Sequence, residues 1–457
     1  MQENVAYMKN FYIIYILIAM ACLFLPACNN NNNTNVHVPS DDPTVATFSF
    51  TANDSFPALA KASFTIEERI DTGLIYNVDS LTYGTCIDKV IPKITFNASI
   101  VSAAIIYTPS DTVTLSGGDT INFSERPVML LTISETGKVE KWYEIQVNVH
   151  QSDPDLYVWE QLTDHITEGT YNRQKAVILA GKLWFFASDG LGAKVFVSAD
   201  GKSWQPFASP FDNFDVTNLL THKDKIYCIN DDKMAFLATG ADTWQTVAAT
   251  ADTELQIEQL LFSFNDSLWA VVKDKNTDIY NLATRADETG DWVLHDTVSS
   301  DFPVSDCASL AFLSPTGRKR GMVVGGFSCT GKSLNTRWNV EYDSTEGYRW
   351  ENFSVEQPWF SSLTGVSIIY YDRHFFMFGG VDEAGVINKY NILESYDEGM
   401  HWSPVDTAHN AMPASYIPRA YQSVAVDGNN YIYIIGGKSR TEVFTDVYRG
   451  KLNSIDW

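Results

Sequence analysis

The clearest hydrophobic pattern in the chain lies near its C-terminal end. A polar start at Pro418-Arg419 leads into a short, mainly apolar run over 420–426, and a turn over 427–430 separates it from a second apolar run over 431–437. Runs of this length, rich in β-branched and aromatic residues and bounded by Gly, Asn and Asp, are typical of buried strands joined in a hairpin. Because residues 443–452 have a similar character, the pattern predicts three consecutive strands.

The same unit recurs through the last two thirds of the chain. A tryptophan follows a turn rich in Asp and Gly at Ser198–Trp204, Thr239–Trp244, Arg285–Trp292, Tyr342–Trp350 and Ser395–Trp402. Together with Trp159 and Trp457, these tryptophans are 40 to 58 residues apart. Apolar second strands lie between them, at 183–186, 226–229, 268–272, 322–326, 375–380 and 432–437. This period is that of four-stranded blades and predicts a six-bladed β-propeller over 151–457.

The two ends of this region are predicted to close the ring. The last blade has three strands before the sequence ends, and the run Leu156–Leu162 is a strand with no hairpin before it. This run would supply the missing outer strand of the last blade. Closure of this kind protects the first and last blades from edge-to-edge pairing.

Residues 44–150 have β-rich runs without the blade repeat. These runs are 45–50, 62–66, 93–96, 128–133 and 142–149, and the last alternates polar and apolar side chains as a half-buried strand does. Turn residues at 116–119 and 135–138 separate them, so a β-sandwich is predicted. The closing hairpin with Gly137 and Trp142 resembles that of bacterial cadherin-like and Ig-like modules. The chain is thus predicted to be all-β, with a small sandwich followed by a propeller.

The N-terminal segment carries an export pattern. Lys9 precedes the apolar run 11–25, which ends at Leu25-Pro26-Ala27-Cys28. This ending resembles the lipobox of bacterial lipoproteins, which implies a signal peptide over 1–28 and acylation of Cys28; Ala19-Met20-Ala21-Cys22 is a competing box. Residues 29–43 begin with an asparagine-rich tract and are predicted to be a flexible tether. An ordinary signal peptide or an uncleaved anchor is the alternative.

Two further resemblances concern the propeller. The glycine pairs at 325–326, 379–380 and 436–437, with Pro418-Arg419 ahead of the last, resemble kelch repeats, although the first three blades lack the pair. The turn Ser395–Trp402 resembles the Asp box of sialidases, in which Asp and Ser side chains bond the backbone of their own turn and the tryptophan packs between blades. Together with the lipobox, the arrangement resembles a family of Bacteroidota-type lipoproteins without known activity. That resemblance implies an outer-membrane lipoprotein on the periplasmic or cell-surface face.

Composition excludes some classes of partner. The formal net charge is -24, which argues against nucleic acid and against anionic membrane surfaces, so membrane contact is expected only through the lipid anchor. The cysteines Cys86, Cys228, Cys307 and Cys329 lack metal-ligand spacing, and the histidines are scattered, so no metal and no cofactor are predicted. Cys307 and Cys329 are left as either a disulfide or free thiols.

The candidate site is the channel mouth, where the innermost strands begin. Arg173 and Arg419 stand at the same place in the first and last blades, which are neighbours in a closed ring, so two guanidiniums are predicted to receive a carboxylate, a phosphate or sugar hydroxyls. Corresponding positions in the other blades are Asn218, Glu258, Asp306 and Thr364. Trp359-Phe360 would add an aromatic platform. The alternative is that the arginines only satisfy strand-end carbonyls.

Two function classes follow from these residues. The first is a non-catalytic binding module that recognises a glycan or an envelope protein through the propeller. The second is a carbohydrate-active enzyme, such as a kelch-type sugar mutarotase or a sialidase-like hydrolase, for which Glu258 and Asp306 are the acidic candidates. The first is favoured because the sequence contains no evident catalytic set.

Overall fold

The computed structural model describes residues 37–52, 56–124, 127–355 and 363–453. The chain divides into two compact units, with the boundary between Gln151 and Ser152. Among the described residues, no helix has the length and apolarity needed to cross a membrane. Cys28, Trp359 and Phe360 lie outside the described residues.

The N-terminal unit is a sandwich-like arrangement of two sheets. Its elements are β1 (Val45–Phe50), a 3-10 helix (Pro57–Lys61), β2 (Phe64–Glu67), β3 (Thr72–Asn77), β4 (Pro92–Phe96), β5 (Ile100–Thr108), β6 (Asp111–Thr114), β7 (Val128–Ser134) and β8 (Glu140–Gln146). Strands β1 and β4 form one sheet, and the other has the order β2-β3-β8-β7-β5-β6, with β3 and β8 parallel.

The two sheets share one hydrophobic core. Phe48 and Phe50 of β1 pack with Leu130 of β7 and with Tyr143 and Ile145 of β8, all of them buried. The Tyr143 hydroxyl accepts a hydrogen bond from the backbone N–H of Val45 at 3.0 Å, which ties the small sheet to the large one. The predicted β-sandwich class is thereby confirmed in its all-β, two-sheet form.

The described part of the C-terminal unit contains six four-stranded antiparallel sheets, which we call blades 1 to 6. Blades 1 to 3 contain β10 (Arg173–Leu179), β11 (Lys182–Ser188), β12 (Ala193–Ser198), β13 (Gln205–Phe207); β14 (Leu219–His222), β15 (Lys225–Asn230), β16 (Lys233–Ala238), β17 (Gln245–Ala248); β18 (Leu255–Phe264), β19 (Ser267–Asp274), β20 (Tyr280–Arg285) and β21 (Val293–Thr297).

Blades 4 to 6 follow the same order from the inside outwards. They contain β22 (Ala308–Leu313), β23 (Lys319–Val324), β24 (Arg337–Asp343), β25 (Gly347–Asn352); β26 (Thr364–Tyr371), β27 (His374–Val381), β28 (Ile392–Ser395), β29 (Ser403–Pro404); β30 (Ser423–Val426), β31 (Ile432–Lys438) and β32 (Val443–Leu452), with β9 (Tyr157–Thr163) as the outer strand of blade 6.

The innermost strands form a closed ring. Each of β10, β14, β18, β22 and β26 neighbours the next innermost strand, and β30 neighbours β10. Strand β9 pairs antiparallel with β32, from Tyr157 opposite Leu452 to Thr163 opposite Val447. The predicted closure by the run at 156–162 is therefore confirmed, with the strand starting and ending one residue later.

Blade packing explains why the second strands are apolar without alternation. In β11, every residue from Leu183 to Ser188 is buried. A central strand of a blade is covered on both faces by neighbouring blades, so both sets of alternating side chains leave water. The continuous apolar runs in the sequence are the direct consequence of this double burial.

The turn that resembles an Asp box has a structural role. Asp397 Oδ1 accepts hydrogen bonds from the Ser395 hydroxyl at 2.9 Å and from the His401 backbone N–H at 2.9 Å. The Trp402 indole N–H donates to the carbonyl of Gly399 at 3.0 Å, and the ring is buried between blades 4 and 5. These contacts confirm the prediction that the Asp and Ser residues bond within their own turn and the tryptophan packs between blades.

The glycine pairs set how closely blades 4 to 6 approach their neighbours. All six glycines have positive φ, between +63° and +105°. A Cβ at Gly325 would lie 2.5 Å from the carbonyl oxygen of Leu363, at the start of the next blade. A Cβ at Gly436 would overlap the side-chain oxygen of Gln174 in blade 1. Glycine is therefore required both by the backbone conformation and by the contact with the following blade.

Candidate functional site

The channel mouth in blades 4 to 6 is shaped by one recurring backbone feature. The residue after each glycine pair bridges to the start of the innermost strand in its own blade: Phe327 to Ser305, Val381 to Thr364 and Lys438 to Ala420. The residue that follows Ser305, Thr364 or Ala420 in the chain is left-handed in all three blades, with φ of +48° at Asp306, +64° at Gly365 and +59° at Tyr421. Glycine adopts this conformation freely, whereas for other residues it costs roughly 1–3 kcal/mol of free energy. Asp306 and Tyr421 are thus held at the mouth despite local strain.

An ion pair spans the mouth. The Arg173 guanidinium, at the start of β10 in blade 1, donates from Nη1 to Asp306 Oδ1 at 2.9 Å, and Asp306 belongs to blade 4 on the opposite side of the ring. Partial burial disfavours the charge of Arg173, but the carboxylates of Asp306 and Asp215 outweigh it and raise the pKa of the guanidinium. The guanidinium of Arg173 therefore stays charged at neutral pH.

Below the mouth, polar groups from all six blades line a cavity of about 170 Å³. Its lining includes Lys175 of blade 1, Thr217 of blade 2, Gln259 of blade 3, Cys307 of blade 4, Ser367 of blade 5 and Gln422 of blade 6. The Lys175 ammonium donates to the carbonyl of Thr217 at 3.3 Å, and enclosure by protein lowers its pKa. The cavity has room for several water molecules or for one end of a small ligand.

Buried amide atoms at this cavity lack partners. Gln422 is only 3 % exposed, and neither its side-chain oxygen nor its side-chain nitrogen has a hydrogen-bond partner among the described residues. Gln259 donates from Nε2 to the carbonyl of Cys307 at 3.2 Å, but its buried Oε1 is likewise unpaired within the part of the chain that the structure describes. These three atoms have almost no accessible surface, and the Gln422 amide lies against Gly379 between blades 5 and 6, so they belong to the contacts between blades and do not face the open cavity.

The cysteine at the cavity is an unreactive thiol at neutral pH. Burial, together with the nearby carboxylate of Asp306, raises the pKa of Cys307 to about 12, and Lys175 only partly offsets this shift. Cys307 and Cys329 are both free. A protonated thiol is a poor nucleophile, so Cys307 contributes to the lining and not to nucleophilic chemistry.

Serine hydroxyls connect neighbouring innermost strands around the channel. The Ser309 hydroxyl donates to the carbonyl of Leu261 at 2.6 Å, and the Ser423 hydroxyl accepts from the N–H of Ala176 at 2.7 Å. Ser367 donates in the same way to the carbonyl of Gln422. These hydroxyls are used by the framework, in contrast to the unpaired amide atoms.

The prediction that Arg419 lies at the mouth beside Arg173 is wrong. Arg419 is 1 % exposed, makes a bidentate ion pair with Asp446 (3.2 Å for Nη2 to Oδ2), and stacks on the ring of Phe444 with its guanidinium carbon 3.9 Å from the ring centroid. Its Nε donates to the carbonyl of Ile417 at 2.9 Å. The Arg419 side chain is thus buried and fully paired inside blade 6. Tyr421, two residues later, lines the cavity instead.

The other predicted positions divide between framework and site. Asn218 is buried, and its Oδ1 accepts from the N–H of Leu260 at 2.8 Å, which ties blade 2 to blade 3. Glu258 lies at a bulge of β18 and is not among the residues that line the cavity; partial burial raises its pKa. Thr364 is buried, with its hydroxyl 3.4 Å from that of Tyr421. Of the predicted residues that are described, only Arg173 and Asp306 meet at the mouth.

Sequence reasoning missed Lys175, Gln259, Tyr421 and Gln422. One signal was present: alternate side chains of a strand share a face, so Lys175 follows Arg173 toward the channel. The left-handed residue at 421 shifts this alternation in blade 6, and nothing in the sequence announces that shift.

Comparison with protein families identifies the two units. A family model described as the DUF6242 beta propeller domain matches residues 153–457, and the N-terminal domain of the same family matches residues 30–147. The chain belongs to the DUF6242 family. No curated protein matches the sequence significantly.

Solved structures resemble this DUF6242 chain only distantly. A streptogramin B lyase is 10% identical, covers 65% of this chain and 98% of its own, and has a TM-score of 0.38. A luciferin-regenerating enzyme is 11% identical over 65% of this chain and 95% of its own, with a TM-score of 0.42. The extracellular domain of a putative one-component system from B. thetaiotaomicron is 13% identical over 63% of this chain and 40% of that one, with a TM-score of 0.38. At these scores the likenesses carry no argument about function.

Proposed function

We propose that this DUF6242 protein is a non-catalytic binding module that holds a small polar group of its ligand in the propeller channel. The observation that supports this most strongly is the convergence of polar groups from all six blades on one cavity, where the Lys175 ammonium makes a single hydrogen bond, to a neutral carbonyl, among the described residues. An ammonium has three donors, so a ligand that enters the cavity gains further hydrogen bonds from Lys175.

The alternative, a carbohydrate-active enzyme of the mutarotase or sialidase type, receives less support. Its acid and base were expected to be Glu258 and Asp306 at neighbouring positions of the mouth. Asp306 is paired with Arg173, and Glu258 is absent from the residues that line the cavity. Cys307 is protonated at neutral pH. The described lining therefore favours recognition over acid–base or nucleophilic catalysis.

The proposal includes a place in the cell. A lipid on Cys28 would tether a kelch-type propeller and its sandwich to the outer membrane through the asparagine-rich segment, on the periplasmic or cell-surface face. A glycan or an envelope protein is the ligand class that suits this setting. The strongly acidic composition, with a net charge of -24, fits a partner other than nucleic acid.

The mouth residue Tyr421 offers a direct test on a glycan array. Tyr421→Gly removes the ring and relieves the left-handed strain at φ +59°, so thermal unfolding should move by only a few degrees. Loss of the ring should weaken any bound glycan by about tenfold or more, which corresponds to about 1.4 kcal/mol.

The matched control is Tyr396→Ala. Tyr396 is 72% exposed in the turn between β28 and β29, at the opposite end of the blade from the mouth. This variant should bind like the parent. Glycans that bind the parent and Tyr421→Gly equally well would locate the site away from the channel.

A further inference from the structure

The ammonium of Lys175 has unused hydrogen-bond donors at the cavity. It makes one hydrogen bond, to the neutral carbonyl of Thr217, and no carboxylate lies within ion-pair distance of it among the described residues. An ammonium has three donors, so two remain for a ligand. A cation that is surrounded by protein and lacks a counter-ion attracts an anion strongly, because little water screens it.

The size of the cavity sets a second requirement. Its volume of about 170 Å³ holds one end of a small molecule and not a whole sugar chain. A carboxylate is small enough to enter, and it forms charge-assisted hydrogen bonds with an ammonium.

We propose that the channel selects a small carboxylate, such as the carboxylate end of an acidic sugar, and holds it on the ammonium of Lys175. This assignment rests on the channel being the binding site, and it names the class of the ligand. Arg173, two residues before Lys175 on the same strand face, adds a second positive charge at the mouth, where a ligand carboxylate competes with Asp306.

Cys307 provides a reporter inside the channel. Its thiol is close enough to Lys175 for each group to shift the pKa of the other. Iodoacetate and iodoacetamide alkylate thiols through the same displacement, but only iodoacetate carries a carboxylate. The full chain is treated with each reagent at mildly alkaline pH, and peptide mass spectrometry measures the rate at each cysteine. At each cysteine, the rate with iodoacetate is divided by the rate with iodoacetamide. The value at Cys307 is then divided by the value at the exposed Cys329, which removes the intrinsic difference between the reagents and gives a normalised ratio.

The normalised ratio should be about five or more in the parent, because Lys175 raises the local concentration of the anionic reagent. In Lys175→Met the ratio should fall to about one, while Lys175→Arg should retain the preference. Lys194→Met is the matched control: it removes a lysine of the same blade that does not line the cavity, and the ratio should stay at the parental value. Taking a ratio also cancels the change in thiol pKa that loss of Lys175 causes.

The ligand class is tested by protection. Glucuronate should slow the alkylation of Cys307 by iodoacetamide, and glucose, which has a hydroxymethyl group in place of the carboxylate, should protect at least tenfold less well. A normalised ratio near one in the parent, or equal protection by the two sugars, would overturn the anionic class while the channel stays a reachable pocket. If both reagents alkylate Cys307 much more slowly than the small thiolate fraction at that pH accounts for, the channel is closed to small molecules, and the proposed function fails as well.

Discussion

Replacing Arg419 by methionine is expected to lower the free energy of unfolding by about 3–5 kcal/mol, because it leaves the buried carboxylate of Asp446 without its counter-charge. Asp446 is only 6 % exposed, and Arg419 is its bidentate partner. The substitution also removes the stacking of the guanidinium on Phe444. Urea unfolding followed by tryptophan fluorescence measures the change.

Two controls separate this effect from loss of positive charge. Arg173→Met removes a half-exposed guanidinium with 42% of its side chain exposed, and it should cost less than about 1 kcal/mol. Arg419→Met combined with Asp446→Leu removes both charges and should recover much of the loss. If Arg419→Met unfolds at the same urea concentration as Arg173→Met, the buried pair does not hold blade 6 together.

Substituting Gly379 by alanine should be the other severely destabilising change. The left-handed conformation, with φ of +65°, costs a non-glycine residue about 1–2 kcal/mol. The new Cβ would also overlap the carbonyl oxygen of Arg419 and lie 2.6 Å from Nε2 of Gln422, so blades 5 and 6 must move apart. Overpacking of this kind adds about 1–3 kcal/mol.

Gly385 is the matched control in the same blade. Its φ is +75°, but a Cβ there would have no heavy atom within 4 Å. Gly385→Ala should therefore show the conformational cost alone. The difference between the two midpoints of thermal unfolding reports the contact between blades 5 and 6, and equal midpoints would mean that the glycine pair serves the turn and not the packing.

The fold could be predicted because its signals are local and repeated. A central blade strand such as β11 is covered on both faces, which leaves an unbroken apolar run in the sequence. The Asp-rich turns use side chains to bond their own backbone, so their spacing is visible without any tertiary information. The closing strand β9 was recognisable because it stands alone before the first hairpin.

The site could be predicted only in part, and the reason is one backbone torsion. Arg173 and Arg419 hold similar places in the sequence, but blade 6 has a left-handed residue at Tyr421, and blade 1 has no left-handed non-glycine residue at the start of β10. A shift of one residue sends the side chains of a strand to the opposite face. Arg419 is accordingly buried inside its blade and Tyr421 reaches the mouth. Amino-acid preferences for backbone conformation do not predict a left-handed residue at this position, because tyrosine rarely adopts positive φ.

The polar lining was missed for a different reason. In a single strand, Lys175 and Gln259 look like solvent-facing positions, and an alternating pattern assigns them to the surface. In this propeller, the side chains that point away from the blade interior face the channel, where groups from all six blades meet. Their proximity depends on ring closure, which brings residues more than two hundred positions apart to one cavity.

The most direct test of the channel as the binding site is protection of Cys307 by a ligand that the glycan array identifies. The rate of alkylation by iodoacetamide is measured at Cys307 and at Cys329 as the ligand concentration rises. We expect the rate at Cys307 to fall to a plateau near zero, with a midpoint equal to the Kd for binding, while the rate at the exposed Cys329 stays constant. A ligand that saturates the protein and leaves the rate at Cys307 unchanged would contradict the assignment.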